Sequence, residues 1–334
     1  MTRTLLVITA AIATLIGSTG AIGAIEAQQA TGRQARPAGQ AAAANAALDQ
    51  QVQLDRAGFS PGEIDGKAGR NTAQALAAFT KAGNSEAQPG ETLTSYRITA
   101  EDVAGPFTEA IPSDLMEQSK LPALNYTSAL EAIGEQFHSA PALLQQLNPS
   151  AHFAAGETIT VPNIVKRAWI EPAADAAGAK PPAAALPAGA KPPAPPQPAV
   201  TVVVSKSAST LTVLDEKGSV IFHAPVTSGS EHDPLPLGKW AVTAVSRRPS
   251  FHYNPDLFWD ANPTHAKAKI PPGPNNPVGL VWIDITREHY GIHGTPEPGK
   301  IGHTESHGCV RLTNWDALHV ASLVRKGTTV LFER

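Results

Sequence analysis

Residues 171–199 divide this chain before any other feature does. The segment carries Pro181-Pro182, Pro192-Pro193 and Pro195-Pro196, with alanine filling most of the remainder. Proline has no amide hydrogen and a fixed φ, so such a run cannot join a helix interior or a sheet ladder. It favours extended polyproline conformations and behaves as a semi-rigid tether. The 334 residues must therefore fold as separate units on either side of it, with a C-terminal unit over 200–334. The net charge of −3 gives no basic surface for nucleic acid, so no nucleic-acid partner is expected.

The start of the chain reads as an export signal. Arg3 supplies a short positive start, Leu5 to Ile16 an apolar run too short to span a bilayer comfortably, and Ala21-Ile22-Gly23 a small-x-small cleavage pattern. Residues 1–23 are expected to be a signal peptide and the mature protein to reach the periplasm or cell envelope; the other reading is an uncleaved membrane anchor. The Gln/Ala/Gly-rich stretch 24–44 has little to bury and is expected to be flexible. A single cysteine, Cys309, rules out an internal disulfide, so it is either a reactive thiol or an intermolecular bridge.

Two small units are expected before the tether. In 45–84, Leu48, Val52 and Leu54 lie at roughly helical spacing, Gly58-Phe59-Ser60-Pro61-Gly62 breaks the helix, and Asp65-Gly66 marks a turn. Asn71 or Thr72 is placed to cap a second helix carrying Ala75, Leu76 and Phe79. This helix–loop–helix pattern resembles the small peptidoglycan-binding domain; the alternative is a helical spacer. In 96–165, Ala129, Ile133 and Phe137 share a helix face, Leu143, Leu144 and Leu147 precede Asn148-Pro149, and Ile159 to Asn163 reads as a closing strand. That order is similar to LysM modules and implies glycan binding; the alternative is a connector that positions the catalytic domain.

From Val200 the pattern turns to strands: 201–204, 210–213, 220–222, 240–245, 281–285 and 328–332, with one amphipathic helix over 317–324. A mainly β, sandwich-like domain is expected. Its chemistry lies in Gly291-Ile292-His293-Gly294-Thr295 and Ser306-His307-Gly308-Cys309-Val310-Arg311. A thiol attacks as thiolate, and an adjacent imidazole is the usual acceptor of its proton. His293 and His307 are both candidates. Backbone amides near Gly308 and Cys309 suit a developing oxyanion. Arg311 suits either a substrate carboxylate or the ordering of the loop.

H-G-T followed by S-H-G-C-V-R, with Cys309 sixteen residues after His293, is similar to the signature of the L,D-transpeptidase catalytic domain, also called YkuD. Residues 270–279 resemble its substrate-loop region. The resemblance implies Cys309 as nucleophile, His293 as general base, and a pocket shaped by Ser306, His307, Gly308 and Arg311. It implies acyl transfer on the peptide stems of peptidoglycan, without metal or organic cofactor, to a stem amine or to the lysine of an envelope protein. Water as acceptor would make an L,D-carboxypeptidase. Two other readings stand beside it: a zinc-dependent hydrolase using His289, His293, His303 and His307 with Cys309, and a non-catalytic wall-binding scaffold.

Overall fold

A computed structural model describes residues 38–85, 90–165 and 199–334. The expected signal peptide and almost all of the Pro/Ala tether lie outside the described residues.

The first helices are α1 (Ala38–Arg56) and α2 (Arg70–Lys81). α1 starts inside the stretch expected to be flexible. The Ala-rich run 41–47 has the highest intrinsic helix propensity of any residue type, which the composition argument overlooked. Neither Asn71 nor Thr72 caps α2. Its N-cap is Gly69, without a side-chain bond. Asn71 instead donates to the Ile301 carbonyl at 2.9 Å, and buried Thr72 accepts from Gln51.

Next come β1 (Leu93–Arg97), α3 (Leu115–Gln118), α4 (Ala129–Gln136), α5 (Pro141–Leu147) and β2 (Thr158–Pro162). β1 pairs antiparallel with β2 from Leu93↔Pro162 to Arg97↔Thr158, so this unit opens slightly before residue 96. Asn148 explains the Asn-Pro break. Its side chain exchanges two hydrogen bonds of 2.7 Å with the Thr160 backbone, and so ties the end of α5 to β2.

The two small units are not separate in packing. Leu48, Val52 and Ile64 share one buried cluster with Ile133, Phe137, Leu144 and Ile159. Leu54, Phe59, Ala75 and Phe79 form another, against Val220 of the C-terminal unit.

The C-terminal unit contains β3 (Thr201–Ser205), β4 (Thr210–Leu214), β5 (Val220–Pro225), β6 (Thr227–Ser228), β7 (Gly238–Arg247), β8 (Phe251–Tyr253), β9 (Ala268–Ile270), β10 (Val281–Ile285), β11 (Gly291–His293), β12 (Val310–Arg311), α6 (Asn314–Leu323) and β13 (Thr329–Glu333). Nine strands join in the order β5-β4-β3-β13-β7-β10-β11-β12-β6, and β8 and β9 form a separate hairpin. The domain is mainly β and sandwich-like. β7 is the strand shared by its two halves: Gly238–Ala241 pair with β13, while Val242–Arg247 pair with β10. One core takes Val202, Leu211 and Phe222 from one half, Ile283, Ile292 and Val310 from the other, and Ala317 and Val320 from α6. The edge of β5 is covered by Gly58–Ser60, through Ser60 N–H to the His223 carbonyl and His223 N–H to the Gly58 carbonyl. An uncovered edge would invite intermolecular pairing.

Candidate active site

The sequence-predicted residues converge on two short parallel strands. β11 and β12 pair as Ile292↔Val310 and His293↔Arg311. Ile292 and Val310 are fully buried and face the core. Side chains alternate along a strand, so His293 and Arg311 share the opposite face. Cys309 lies one residue before β12, and its Sγ sits near the backbone of His289 and Gly291, at the start of β11. The parallel ladder thus brings the strand that carries His293 beside the strand that follows Cys309.

His293 is buried and tightly specified. Its Nδ1 lies 2.7 Å from the Gly294 carbonyl, and its ring stacks on Trp282 with centroids 5.3 Å apart. Burial depresses its pKa to about 3, and the Arg311 charge pushes the same way; the Gly294 carbonyl opposes both. The imidazole is therefore neutral at ordinary pH, and a carbonyl partner requires the proton on Nδ1. Nε2 is left as the lone-pair acceptor.

Cys309 is partly accessible. Burial nevertheless raises its pKa, while the Gly291 backbone and Arg311 pull it down. Its Sγ is 3.8 Å from the His289 carbonyl, a weak hydrogen bond. Arg311 is itself mostly enclosed, between the fields of Cys309 and Glu297. One cation thus favours thiolate and disfavours imidazolium.

The remaining motif residues build the loop. The Ser306 hydroxyl donates to the Cys309 carbonyl at 2.6 Å and accepts the Gly229 amide at 2.7 Å. It is committed to loop geometry, ahead of β12 and across from β6. Gly308 has φ +98°, and a Cβ there would collide with the Tyr290 ring. Glycine is required on both counts. His307 packs against the connection between β8 and β9. Its Nε2 is 2.8 Å from Asp260, and its ring meets Phe258 edge-on at 5.0 Å. Phe258, Trp259 and Asp260 lie in the connection between β8 and β9, and Trp259 stacks on His232 at 4.3 Å. That hairpin therefore touches the cysteine loop on one side and the 229–237 loop on the other.

The four histidines of the zinc reading do not converge. His293 is held by Gly294, His307 by Asp260 and His289 by Glu288. Among the described residues, no group of three or more His, Cys, Asp and Glu is placed to hold a metal ion.

Several contributors carried no sequence signal. Tyr290, Trp282, Asp260 and Asn314 are ordinary residues outside the motif, and their roles come from packing alone. Gly294 was visible in H-G-T, but not the use of its carbonyl.

The model of the L,D-transpeptidase catalytic domain matches residues 199–331. A Bacillus subtilis protein provisionally named L,D-transpeptidase YkuD is 27% identical over 207 residues, 61% of this chain and 93% of its own length. A second, provisionally named L,D-transpeptidase YqjB, is 32% identical over 137 residues, 39% of this chain and 69% of its own. The chain belongs to the L,D-transpeptidase family. The family consists of transferases that act on peptidoglycan. Among solved structures, an L,D-transpeptidase from Mycobacterium smegmatis aligns at 21% identity with TM-score 0.34, over 41% of this chain and 59% of that one. L,D-transpeptidase 3 from Mycobacterium tuberculosis, in complex with a faropenem-derived adduct, aligns at 22% and TM-score 0.34, over 41% and 61%. The chain thus spans about three fifths of these solved relatives. For this L,D-transpeptidase, the family match ends at the tether, and the helical unit over 45–84 lies outside it.

Proposed function

We propose that the protein is a cysteine acyltransferase that forms a thioester between Cys309 and the third residue of a peptidoglycan tetrapeptide stem. The carrying observation is the bond from His293 Nδ1 to the Gly294 carbonyl, because it leaves Nε2 as a base on the strand paired with the one that follows Cys309. Nε2 takes the thiol proton as Sγ adds to the stem carbonyl. Backbone amides at Gly308 and Cys309 suit the oxyanion. The carbon–nitrogen bond then breaks, the imidazolium returns its proton to the leaving D-Ala amine, and a thioester remains. An incoming amine repeats the cycle in reverse and frees the thiol. That amine belongs to a second stem, giving a 3-3 cross-link, or to a lysine of an envelope protein; water would give a carboxypeptidase. Ser306, His307 and Arg311 shape the pocket. An exported enzyme of the periplasm or cell envelope fits this substrate.

The unit over 93–164 supplies glycan contact on this reading. A cavity of about 460 Å³ lies beside the start of α4 and the α5–β2 loop, lined by Ser128, Leu130, Asn148, Pro149, His152 and Phe153. The alignment with YkuD is longer than the catalytic segment, so it reaches into residues before the tether.

Intact-protein mass spectrometry with a carbapenem tests the nucleophile. One adduct is expected on the wild type and none on Cys309→Ala. His293→Ala should abolish the adduct, and His307→Ala only slow it. An equal adduct on Cys309→Ala would overturn the assignment.

A further inference from the structure

The accessory helix α4 ends against α6, and its Glu135 side chain reaches Asn314 at the start of α6. Asn314, at the start of α6, is fully buried. Its Oδ1 accepts the Leu280 amide at 2.9 Å. The same oxygen lies so close to Gly294 that a Cβ there would collide with it. Its Nδ2 donates to the Pro274 carbonyl and to Glu135 Oε2, each at 3.2 Å. The amide therefore has one orientation: turned over, it would aim two donors at the Leu280 N–H and leave Pro274 and Glu135 facing an oxygen. Gly294 is held on its other side by its amide, 3.3 Å from the Val281 carbonyl, and its carbonyl takes His293 Nδ1.

We infer that Glu135 is a positioning residue for His293: through Asn314 it fixes the Gly294 peptide, whose carbonyl holds the base in its Nδ1–H tautomer. The inference rests on the reading of His293 as the base. Glu135 comes from the unit before the tether, so catalysis in this chain depends on a residue outside the matched catalytic segment.

The surroundings of Glu135 define what a substitute must keep. Its carboxyl faces the Tyr126 hydroxyl and the Asn314 amide, with Glu131 as a further negative group and Arg248 acting on Tyr126. Burial raises its pKa to about 8, so the group is a neutral carboxylic acid at pH 7. Glutamine reproduces that neutral shape and still offers an oxygen to Asn314. Alanine and methionine do not, and they leave a buried donor unpaired, which is the costly outcome.

Histidine-labelled full-length protein, with the His293 signals assigned against His293→Gln, reports the tautomer by long-range proton–nitrogen spectra. The wild type should show the neutral Nδ1–H form. Glu135→Ala, and Glu135→Met where the cavity left by alanine prevents folding, should show a mixture with the Nε2–H form. Their kcat for stem transfer should fall about tenfold, with KM within twofold. Glu135→Gln should keep both the tautomer and kcat. Asn314→Ala should match Glu135→Ala, and the double variant should be no worse than either. An unchanged tautomer in Glu135→Ala and Glu135→Met, or a Glu135→Gln as impaired as they are, overturns the inference. The tautomer is read without substrate, so it stands apart from the carbapenem test of Cys309.

Discussion

At Cys309 and His293 the same burial acts on both partners, and in opposite senses. It raises the thiol and lowers the imidazole, because each charged form is the one that loses solvation. At rest the thiol and the imidazole are thus both neutral, with the thiol sulfur 3.8 Å from the His289 carbonyl. On the proposed mechanism, proton transfer then belongs to the moment of attack, when the oxyanion donors would come into use. A free cysteine reaches half thiolate near pH 8.5. Here the rate of alkylation by iodoacetamide should still be climbing past that pH, without a plateau at neutral values. A pre-formed ion pair would instead give a flat rate from about pH 6 upward, so the pH profile of alkylation distinguishes the two directly. Arg311→Met would move both groups at once, since Arg311 is the charge common to both.

Among the elements, the hairpin β8–β9 borders the cysteine loop through the contact of His307 with Asp260. It packs on residues from before the tether: Leu124 is fully buried against Tyr253 and Ile270. Leu124 also exchanges backbone bonds of 3.0 Å with Pro272 and Asn275, and Asp114 meets His265 at 3.1 Å. Leu124→Ala should cost about 2–4 kcal/mol of local stability. Hydrogen exchange should rise across 251–275 and remain unchanged in β3 and β13. Uniform exchange across the whole domain would show that the hairpin has no separate support. The strands themselves were legible: 281–285 appears in the structure as β10, and 201–204 with 210–213 form a hairpin, because alternation and turn residues are local signals. Residues 93–97 were not read as a strand. Leu93-Thr-Ser-Tyr-Arg is half exposed and too polar to show alternation, and it becomes a strand only through β2, some sixty residues away. The motif likewise drew attention to the residues around Cys309, but the contact of His307 with Asp260 and the support of His293 by Gly294 needed the tertiary structure.

Over the whole molecule, the units that composition separates are joined by buried polar contacts. The Ser60 hydroxyl donates to Asp316, Asp55 meets His138 at 2.8 Å, and His138 stacks on Trp315. Two carboxyls at these joints have raised pKa values, Asp316 about 6 and Glu135 about 8, both through burial. A raised carboxyl stabilises the fold fully below its unfolded value, and that contribution is lost as pH rises through the folded one. His223 and His293, depressed to about 4 and about 3, act in reverse, and their losses come below pH 6.5. Between pH 6.5 and 8 the Glu135 effect is therefore the largest left, with a smaller share from Glu63 at about 7. Stability should fall by roughly 2 kcal/mol across that window. Glu135→Gln should remove most of the fall in denaturant midpoints measured at the two pH values; an equal slope in the variant would refute this. The shared strand β7 carries a different consequence. Because its first half is laced to β13 and its second to β10, the sandwich has no plane along which its halves can slip. On the proposed mechanism, a stem held at Cys309 would load β12, and its neighbours β11 and β10 would carry that load into β7 and across to the far half. Such a load would be shared by both halves rather than borne by β12 alone.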